Sequence, residues 1–221
     1  MAAVPVPVVF VIDDDVIVRE ALAIALGRHG YEVVAPTDLA PEAIVTAAKA
    51  AKPDVVLLDH FLGTGLGHDL IRPLVDATGA TILLLTGADD PEILGASLEA
   101  GAAGTLLKRQ PMQDLLDSIA LAVEGHTVQR PEQREELIAS ARSSRQERAD
   151  ALAPFATLTA REEAVLGGML EGLSAEQIAE RDYVSLATVR SQIQSVLRKV
   201  GVTSQLAAVA AARRAGWRAD A

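Results

Sequence analysis

Cysteine is absent from the 221 residues of the chain. Its absence excludes a disulfide scaffold, a thiol nucleophile, an iron–sulfur cluster and a zinc site with cysteine ligands. Aromatic side chains are almost as scarce, at 3% of the chain, although half of the residues are hydrophobic. Any core must therefore be built from Ala, Val, Leu and Ile, and the length suits one large domain or two small ones.

Long uncharged stretches are also lacking. No segment approaches the roughly 18 residues that a membrane-spanning helix needs. The apolar segment Met1–Ile12 carries no basic residue and runs directly into three consecutive aspartates, which is not the pattern of a signal peptide. We therefore expect a cytoplasmic protein that does not associate with membranes.

Positive charge is scarce in one part of the chain only. The formal net charge of −10 arises almost entirely from residues 1–123, which carry 7 basic and 17 acidic side chains. Residues 124–154 are close to neutral, and residues 155–221 carry 8 basic and 7 acidic side chains. Because contacts with phosphates dominate the affinity for nucleic acids, an evenly acidic chain would bind DNA poorly, and the non-acidic last third leaves DNA binding possible there without requiring it.

Five aliphatic segments alternate with helical patterns over residues 1–124. Strands are predicted at Val8–Ile12, Tyr31–Val34, Asp54–Leu58, Ala80–Leu85 and Ala103–Leu107. These runs are continuous rather than alternating, which indicates burial on both faces. The sequence therefore predicts an α/β domain with a parallel sheet between two layers of helices.

Two further regions follow. Residues 125–156 are rich in Arg, Glu, Gln and Ser and are interpreted as a linker, partly helical. Residues 157–221 show four short helical patterns with marked starts, since Thr159 with Glu162 and Ser174 with Gln177 have the spacing of capping boxes. Four short helices with tight connections can hold a helix-turn-helix.

Polar side chains follow four of the five predicted strands. They are Asp13, Asp14 and Asp15 after the first strand, Asp59 after the third, Thr86 after the fourth and Lys108 after the fifth. Ligands of parallel sheets bind beyond the carboxyl ends of the strands, so we expect these groups to converge there. A divalent cation such as Mg²⁺ relieves repulsion between such carboxylates and leaves room for phosphate oxygens.

A carboxylate beside Mg²⁺, an ammonium and a hydroxyl is equipped to accept a phosphoryl group. Acids at strand ends also serve as helix N-caps, which accounts for Asp15 alone but not for five positions on four strands. The glycines Gly63, Gly65 and Gly67 have neither the G-x-G-x-x-G spacing nor a following Walker lysine, which argues against a nucleotide site.

The motifs VIDDD, VVLLD, LLLTGA and AGAAGTLLK resemble the receiver domain of two-component response regulators over residues 6–124. The resemblance implies a flavodoxin-like doubly wound sheet with strand order 2-1-3-4-5. It implies Asp59 as the phospho-acceptor, Thr86 as the switch hydroxyl and Lys108 as the partner of the phosphoryl group. The Mg²⁺ ligands that it implies are Asp14 directly, Asp13 as an assisting group, Asp59, and the backbone carbonyl of Phe61.

Three positions depart from the pattern of receiver domains. Gly63 and Leu66 stand where a proline and an acidic or amide residue are common, and Thr105 stands where Tyr or Phe is usual. Thr105 puts the usual aromatic readout of phosphorylation in doubt, though not phosphorylation itself. Apolar Phe61 and Ala88 near the acceptor should fail to position an attacking water, so we expect slow dephosphorylation.

In the helical pattern Leu186–Val200, the apolar residues form one stripe and leave a polar face opposite. Arginine can bind guanine edges and glutamine adenine edges in a major groove, although an ordinary solvated face has the same composition. Residues 157–217 resemble a LuxR-type helix-turn-helix, with Leu186–Lys199 as the recognition helix. The resemblance implies base contacts from Arg190, Ser191 and Gln194, and backbone contacts from some of Thr188, Gln192, Arg198 and Lys199.

The two resemblances together are those of a NarL/FixJ-type response regulator, made of a receiver domain at 1–124, a linker at 125–156 and a DNA-binding domain at 157–221. They imply phosphorylation of Asp59 by a sensor histidine kinase, double-stranded DNA as a partner and a homodimer in the active form. A first alternative is a phosphorylation-independent regulator whose receiver serves for dimerisation. A second, an aspartyl phosphohydrolase, lacks the expected D-x-D-x-[TV] motif after the first strand.

Overall fold

The computed structural model of the chain describes residues 6–63 and 65–219, and it divides into two compact units, residues 1–142 and 143–221. Unit one contains seven strands. In chain order they are β1 (Val8–Ile12), β2 (Glu32–Val34), β3 (Val55–Asp59), β4 (Phe61–Leu62), β5 (Gly65–Leu66), β6 (Thr81–Thr86) and β7 (Gly104–Leu107).

Five of these strands form one parallel sheet in the order β2-β1-β3-β6-β7. Since β4 and β5 pair only with each other, as a short antiparallel hairpin, this order is the predicted 2-1-3-4-5. The predicted α/β class and the flavodoxin-like topology are therefore confirmed. The hairpin was not predicted, because strands of two residues leave no periodicity in a sequence.

Helices cover both faces of this sheet. They are α1 (Val16–Arg28), α2 (Pro41–Ala51), α3 (His68–Thr78), α4 (Pro91–Ala100) and α5 (Met112–Val123). Alternate residues of the central strands enter two separate cores: Phe10 and Leu58 pack in one, Val11 and Leu57 in the other. Burial on both faces explains why the strands are continuous aliphatic runs.

A long helix, α6 (Pro131–Leu152), follows within the segment predicted as a linker. Its sequence is polar all round, and Ala141 is its only buried residue. Its first part lies against α4, where Arg134 donates to the carbonyls of Leu98 and Ala102, both at 2.8 Å. These two hydrogen bonds join the start of α6 to the last turn of α4 and to the turn that follows it.

Unit two is built of short helices around a separate core. After a 3₁₀ turn at Phe155–Thr157 come α7 (Ala160–Leu170), α8 (Ala175–Arg181), α9 (Leu186–Val200) and α10 (Gln205–Ala215). Both predicted capping boxes are present, at Thr159 and at Ser174. The last helix is capped by Ser204 and not by the preceding Thr203. Among the residues that the structure describes, no helix is both long and apolar enough to cross a membrane.

Candidate functional site

The polar residues at the strand ends meet at one edge of the sheet, as predicted. Asp13 follows β1, Asp59 ends β3, Thr86 ends β6 and Lys108 follows β7. The Lys108 ammonium lies 2.7 Å from a carboxylate oxygen of Asp13 and 2.9 Å from one of Asp59. Asp13 is fully buried and Asp59 is 4% exposed, so two desolvated carboxylates share one cation.

The pKa values of Asp59 and Lys108 reflect this arrangement, in which one ammonium faces two carboxylates. Burial raises the pKa of the Asp59 carboxyl, repulsion from Asp13 acts in the same direction, and the hydrogen bond from Lys108 opposes both. Burial by itself would lower the pKa of Lys108, but its hydrogen bonds to the two carboxylates outweigh burial and raise it. The ammonium is therefore held charged, while the carboxylates remain incompletely neutralised.

The same cluster has the donor set for a hard divalent cation. Asp13, Asp14 and Asp59 each offer a carboxylate oxygen, and these oxygens all lie within 4.8 Å of one another. Asp14 is exposed, and one of its oxygens accepts a hydrogen bond from the backbone N–H of Gly63 at 3.1 Å. Carboxylates in this number, with one face open to solvent, fit Mg²⁺ together with waters and phosphate oxygens.

A cavity of about 370 Å³ opens beside Asp59. Its lining includes Phe61, Thr86, Ala88, Ile93 and Lys108. The Thr86 hydroxyl is almost fully buried; it donates to the Ala88 carbonyl and accepts from the Ala88 N–H, both at 3.2 Å. Both bonds are long, so this hydroxyl is held by weak local partners at the wall of the cavity.

The loop after Asp59 makes a close approach that only glycine permits. A Cβ at Gly67 would lie 1.8 Å from the backbone oxygen of Asp59, and the Gly67 N–H donates to the His60 carbonyl at 2.7 Å. Gly67 therefore allows the chain after the β4–β5 hairpin to return against the end of β3. The sequence showed the glycines, but their role at the acceptor became visible only in the fold.

A second supporting residue, Arg19 of α1, was missed by the sequence analysis. Its guanidinium donates to the backbone carbonyl of Asp13, and Asp15 caps the same helix by accepting from the Ile17 N–H at 2.8 Å. The interpretation of Asp15 as a helix cap is thus confirmed. Together these contacts fix the turn that holds the acidic pair at the site.

In unit two, α9 presents the predicted polar face. Val189, Ile193 and Val196 are buried, whereas the other side of the helix is open. The residues predicted to contact DNA that are exposed are Thr188, Arg190, Ser191, Gln194 and Arg198, and Gln192 is half-buried. One exposed acid reaches this face, since Glu176 of α8 lies 3.4 Å from the Arg190 guanidinium.

Lys199 is engaged inside unit two instead. Its ammonium donates to a Glu162 carboxylate oxygen at 2.7 Å and to the Thr157 carbonyl at 2.8 Å. Burial opposes ionisation of Glu162, but hydrogen bonds from Lys199, Ser195 and Thr159 outweigh it and lower the pKa of Glu162 to about 2. These contacts hold Lys199 against α7, and its predicted contact with the DNA backbone stays a prediction.

Two family models match the chain. The response regulator receiver domain matches residues 9–120, and the bacterial regulatory proteins of the luxR family match residues 156–212. The chain is 33% identical over 207 residues to the transcriptional regulatory protein YxjL of Bacillus subtilis (strain 168), covering 92% of this chain and 94% of that protein. It is 34% identical over 206 residues to the nitrate/nitrite response regulator NarP of Escherichia coli (strain K12), covering 90% and 91%.

Solved structures give the same picture of the fold. The two-component response regulator RcsB, in a complex with DNA, is 25% identical to this chain with a TM-score of 0.51, and covers 95% of this chain and 98% of its own. A LuxR-family response regulator from Aurantimonas sp. SI85-9A1 is 26% identical with a TM-score of 0.54, covering 63% and 99%.

Proposed function

The chain belongs to the two-component response regulators that join a receiver domain to a LuxR-type DNA-binding domain, and from this premise we propose that Asp59 is its phospho-acceptor and that phosphorylation controls DNA binding. One observation carries the proposal. Lys108 bridges the nearly buried Asp59 and the buried Asp13, with a third carboxylate close by and an open cavity at the acceptor.

The proposed reaction is transfer of a phosphoryl group from a phosphohistidine of a sensor kinase. An Asp59 carboxylate oxygen attacks phosphorus in line, the P–N bond breaks, and the histidine leaves as a neutral imidazole after taking up a proton. Lys108 neutralises charge that develops on the transferred group. Mg²⁺ held by Asp13, Asp14 and Asp59, with the Phe61 backbone carbonyl as a further ligand, would supply the remaining positive charge.

The proposed conformational change begins with competition for the hydrogen bond that the Thr86 hydroxyl donates. Its oxygens are stronger acceptors than the Ala88 carbonyl, to which the Thr86 hydroxyl now donates at 3.2 Å. We propose that Thr86 turns towards the phosphoryl group and that the loop before α4 moves with it. Phosphorylation thereby shifts an existing equilibrium between two forms of the receiver.

The proposed output is DNA recognition by α9 in the cytoplasm, where the DNA partner lies. Arg190, Ser191 and Gln194 would contact base edges in the major groove, and some of Thr188, Gln192, Arg198 and Lys199 would contact the sugar–phosphate backbone. We propose a homodimer as the active form, because two copies of α9 can then contact half-sites about one helical turn apart.

The test compares the wild type with Asp59→Asn after treatment with acetyl phosphate and Mg²⁺. We expect the intact mass of the wild type alone to increase by one phosphoryl group, and its band shift with duplex DNA to strengthen. Slow loss of the added mass is expected, since Phe61 and Ala88 offer no group to position water. No added mass in the wild type contradicts the assignment of Asp59.

Thr105 favours a second candidate, a regulator that binds DNA without phosphorylation and uses its receiver to dimerise. At the position where an aromatic is usual in this family, Thr105 is held by a side chain from the start of the linker, Gln129. This candidate predicts that Asp59→Asn dimerises and binds DNA as the wild type does. Asp59 would then be phosphorylated in the mass experiment without any change in the band shift.

A further inference from the structure

Residues 128–142 lie against a defined face of unit one, formed by α4 and β7. At its β7 end, the Gln129 side chain donates to the Thr105 carbonyl at 3.0 Å and to its hydroxyl at 2.6 Å, and accepts from the Thr105 N–H at 3.1 Å. A single amide thus bonds both backbone groups of Thr105, as a neighbouring strand would. Since β7 is an edge strand of the main sheet, the backbone N–H and carbonyl of Thr105 are free to bond with the Gln129 side chain.

At the α4 end the contact is just as specific. Arg134 donates to the carbonyl of Leu98 in the last turn of α4 and to that of Ala102 just after it, and the Arg142 guanidinium lies 2.7 Å from a Glu99 carboxylate oxygen. Ala141 is fully buried. Charged, hydrogen-bonded and apolar contacts therefore all hold the same segment.

Two glycines make this close approach possible. A Cβ at Gly95 of α4 would lie 2.1 Å from the Leu137 carbonyl oxygen and 2.7 Å from the Ala141 Cβ. A Cβ at Gly104 of β7 would lie 2.8 Å from the Val128 Cβ. The face is shaped for this segment and leaves no room for it to slide.

The two elements that the segment bridges lie next in the chain to two groups of the proposed phosphorylation site. Thr86 ends β6 and its loop leads into α4, while Lys108 follows β7 directly. The segment fits one relative placement of α4 and β7, so a shift of either element strains one set of contacts. Since α6 is polar all round, its first part loses its support when it leaves this face.

From this fit we propose that residues 128–142 form a latch on the α4–β7 face, whose release strengthens DNA binding by unit two. Gln129 contacts β7 and Arg134 contacts the end of α4, so both contacts depend on where these elements lie. In this proposal they take over the role of the aromatic side chain that is usual at the position of Thr105. Only the signal that releases the latch rests on the proposed phosphorylation of Asp59. The latch itself is testable without it.

The test uses Gly95→Ala in the full chain. Alanine favours the helical conformation of α4 itself, but its Cβ is incompatible with the docked segment. Gly27→Ala is the matched control, because Gly27 also lies within a helix and its added Cβ meets nothing within 4 Å. Gln129→Ala releases the other end without altering α4.

Two measurements are made on unphosphorylated protein. Hydrogen exchange of residues 131–142 is expected to speed up at least tenfold in Gly95→Ala and less in Gln129→Ala. Affinity for a duplex selected from a random pool by the full chain is expected to rise about fivefold or more, a usual size for coupling between two sites. Gly27→Ala is expected to match the wild type in both.

Two results overturn the latch: wild-type exchange in both variants, or faster exchange without tighter DNA binding. Failure of the proposed function is seen separately, as an unchanged mass of the wild type after acetyl phosphate treatment. If the wild type gains the phosphoryl group, the same segment must exchange faster in the phosphorylated form. Unchanged exchange in that form overturns the link between latch and phosphorylation.

Discussion

Each unit holds a lysine paired with a buried acid, and the two pairs differ in how completely the charges are satisfied. In unit two, Glu162 accepts from Lys199 at 2.7 Å and from the backbone N–H and hydroxyl of Thr159. In unit one, Lys108 divides its hydrogen bonds between Asp13 and Asp59. In spite of burial, these hydrogen bonds lower the pKa of Glu162, whereas burial, assisted by repulsion from Asp13, raises the pKa of Asp59.

The difference separates a structural ion pair from a site for chemistry. A buried acid with several donors gains by staying ionised, and it stabilises the fold. Two buried acids that share one cation remain short of positive charge, and a metal ion or a reaction can supply the missing partner. The same two types of group, a lysine and a buried acid, therefore form a structural ion pair in unit two and the candidate binding site in unit one.

Removing the cation from unit two should have the largest effect on stability. We expect Lys199→Met to lower the free energy of unfolding of unit two by about 3 kcal/mol, the lower end for breaking a buried pair, because Lys199 is partly exposed. Urea unfolding followed by the fluorescence of Trp217, the only tryptophan, measures it in the full chain. Arg198→Met, an exposed neighbour, is the control and should change little; an equal loss there would contradict the assignment.

The pH dependence of stability should have opposite signs in the two units. The pKa of Glu162 is about 2 in the fold and 4.5 ordinarily; its stabilisation is complete above pH 4.5 and is lost as the pH falls. We expect unit two to lose about 2 kcal/mol between pH 6 and pH 3 from this group. The raised pKa of Asp59 acts oppositely, since ionisation as the pH rises destabilises unit one.

The same urea titrations at several pH values, read by Trp217 fluorescence, test the first half of this prediction. Glu162→Gln should remove that part of the pH dependence and leave the rest unchanged. The predicted destabilisation of unit one as the pH rises is measured by hydrogen exchange of β1 and β3, compared between the wild type and Asp59→Asn. A pH profile of unit two that is the same in Glu162→Gln as in the wild type would refute the role of the pair.

Relieving the charge shortage in unit one should help the fold and harm the site. We expect Asp13→Asn to stabilise unit one by about 1 kcal/mol without Mg²⁺, because Lys108 then faces Asp59 alone. In the wild type, Mg²⁺ at a hundredfold excess over its dissociation constant should add about 2.7 kcal/mol. Thermal unfolding with and without Mg²⁺ should show a gain from the ion in the wild type and much less in Asp13→Asn.

The sequence predicted the acidic site well because its members are fixed by strand ends. Continuous aliphatic runs located the strands to within a residue, β3 lying at Val55–Asp59 and not at Asp54–Leu58. Parallel topology then brought Asp13, Asp59 and Lys108 to one edge. Their convergence did not depend on any side-chain rotamer.

Pairings between distant side chains could not be predicted in this way. Lys199 and Glu162 are 37 positions apart, and Gln129 and Thr105 are 24 apart. Arg198 and Lys199 are adjacent cations in the sequence, and only the packing of α9 against α7 decides which one turns inward. The same holds for Gly95, whose role depends on a helix that begins 36 residues later.

The smallest effect expected concerns an ion pair at the surface of unit two. The Glu176 carboxylate lies 3.4 Å from the Arg190 guanidinium, and both side chains are largely exposed. Their pairing therefore contributes little to stability. The acid does place negative charge where α9 would meet phosphates. We expect Glu176→Gln to tighten binding to duplex DNA of mixed sequence two- to threefold at low salt, measured by fluorescence anisotropy, with the gain vanishing at high salt.

Glu163→Gln, in the first turn of α7, is the matched control for the change in net charge. An equal gain in both variants would mean that overall charge, and not the position of Glu176 beside Arg190, sets the affinity.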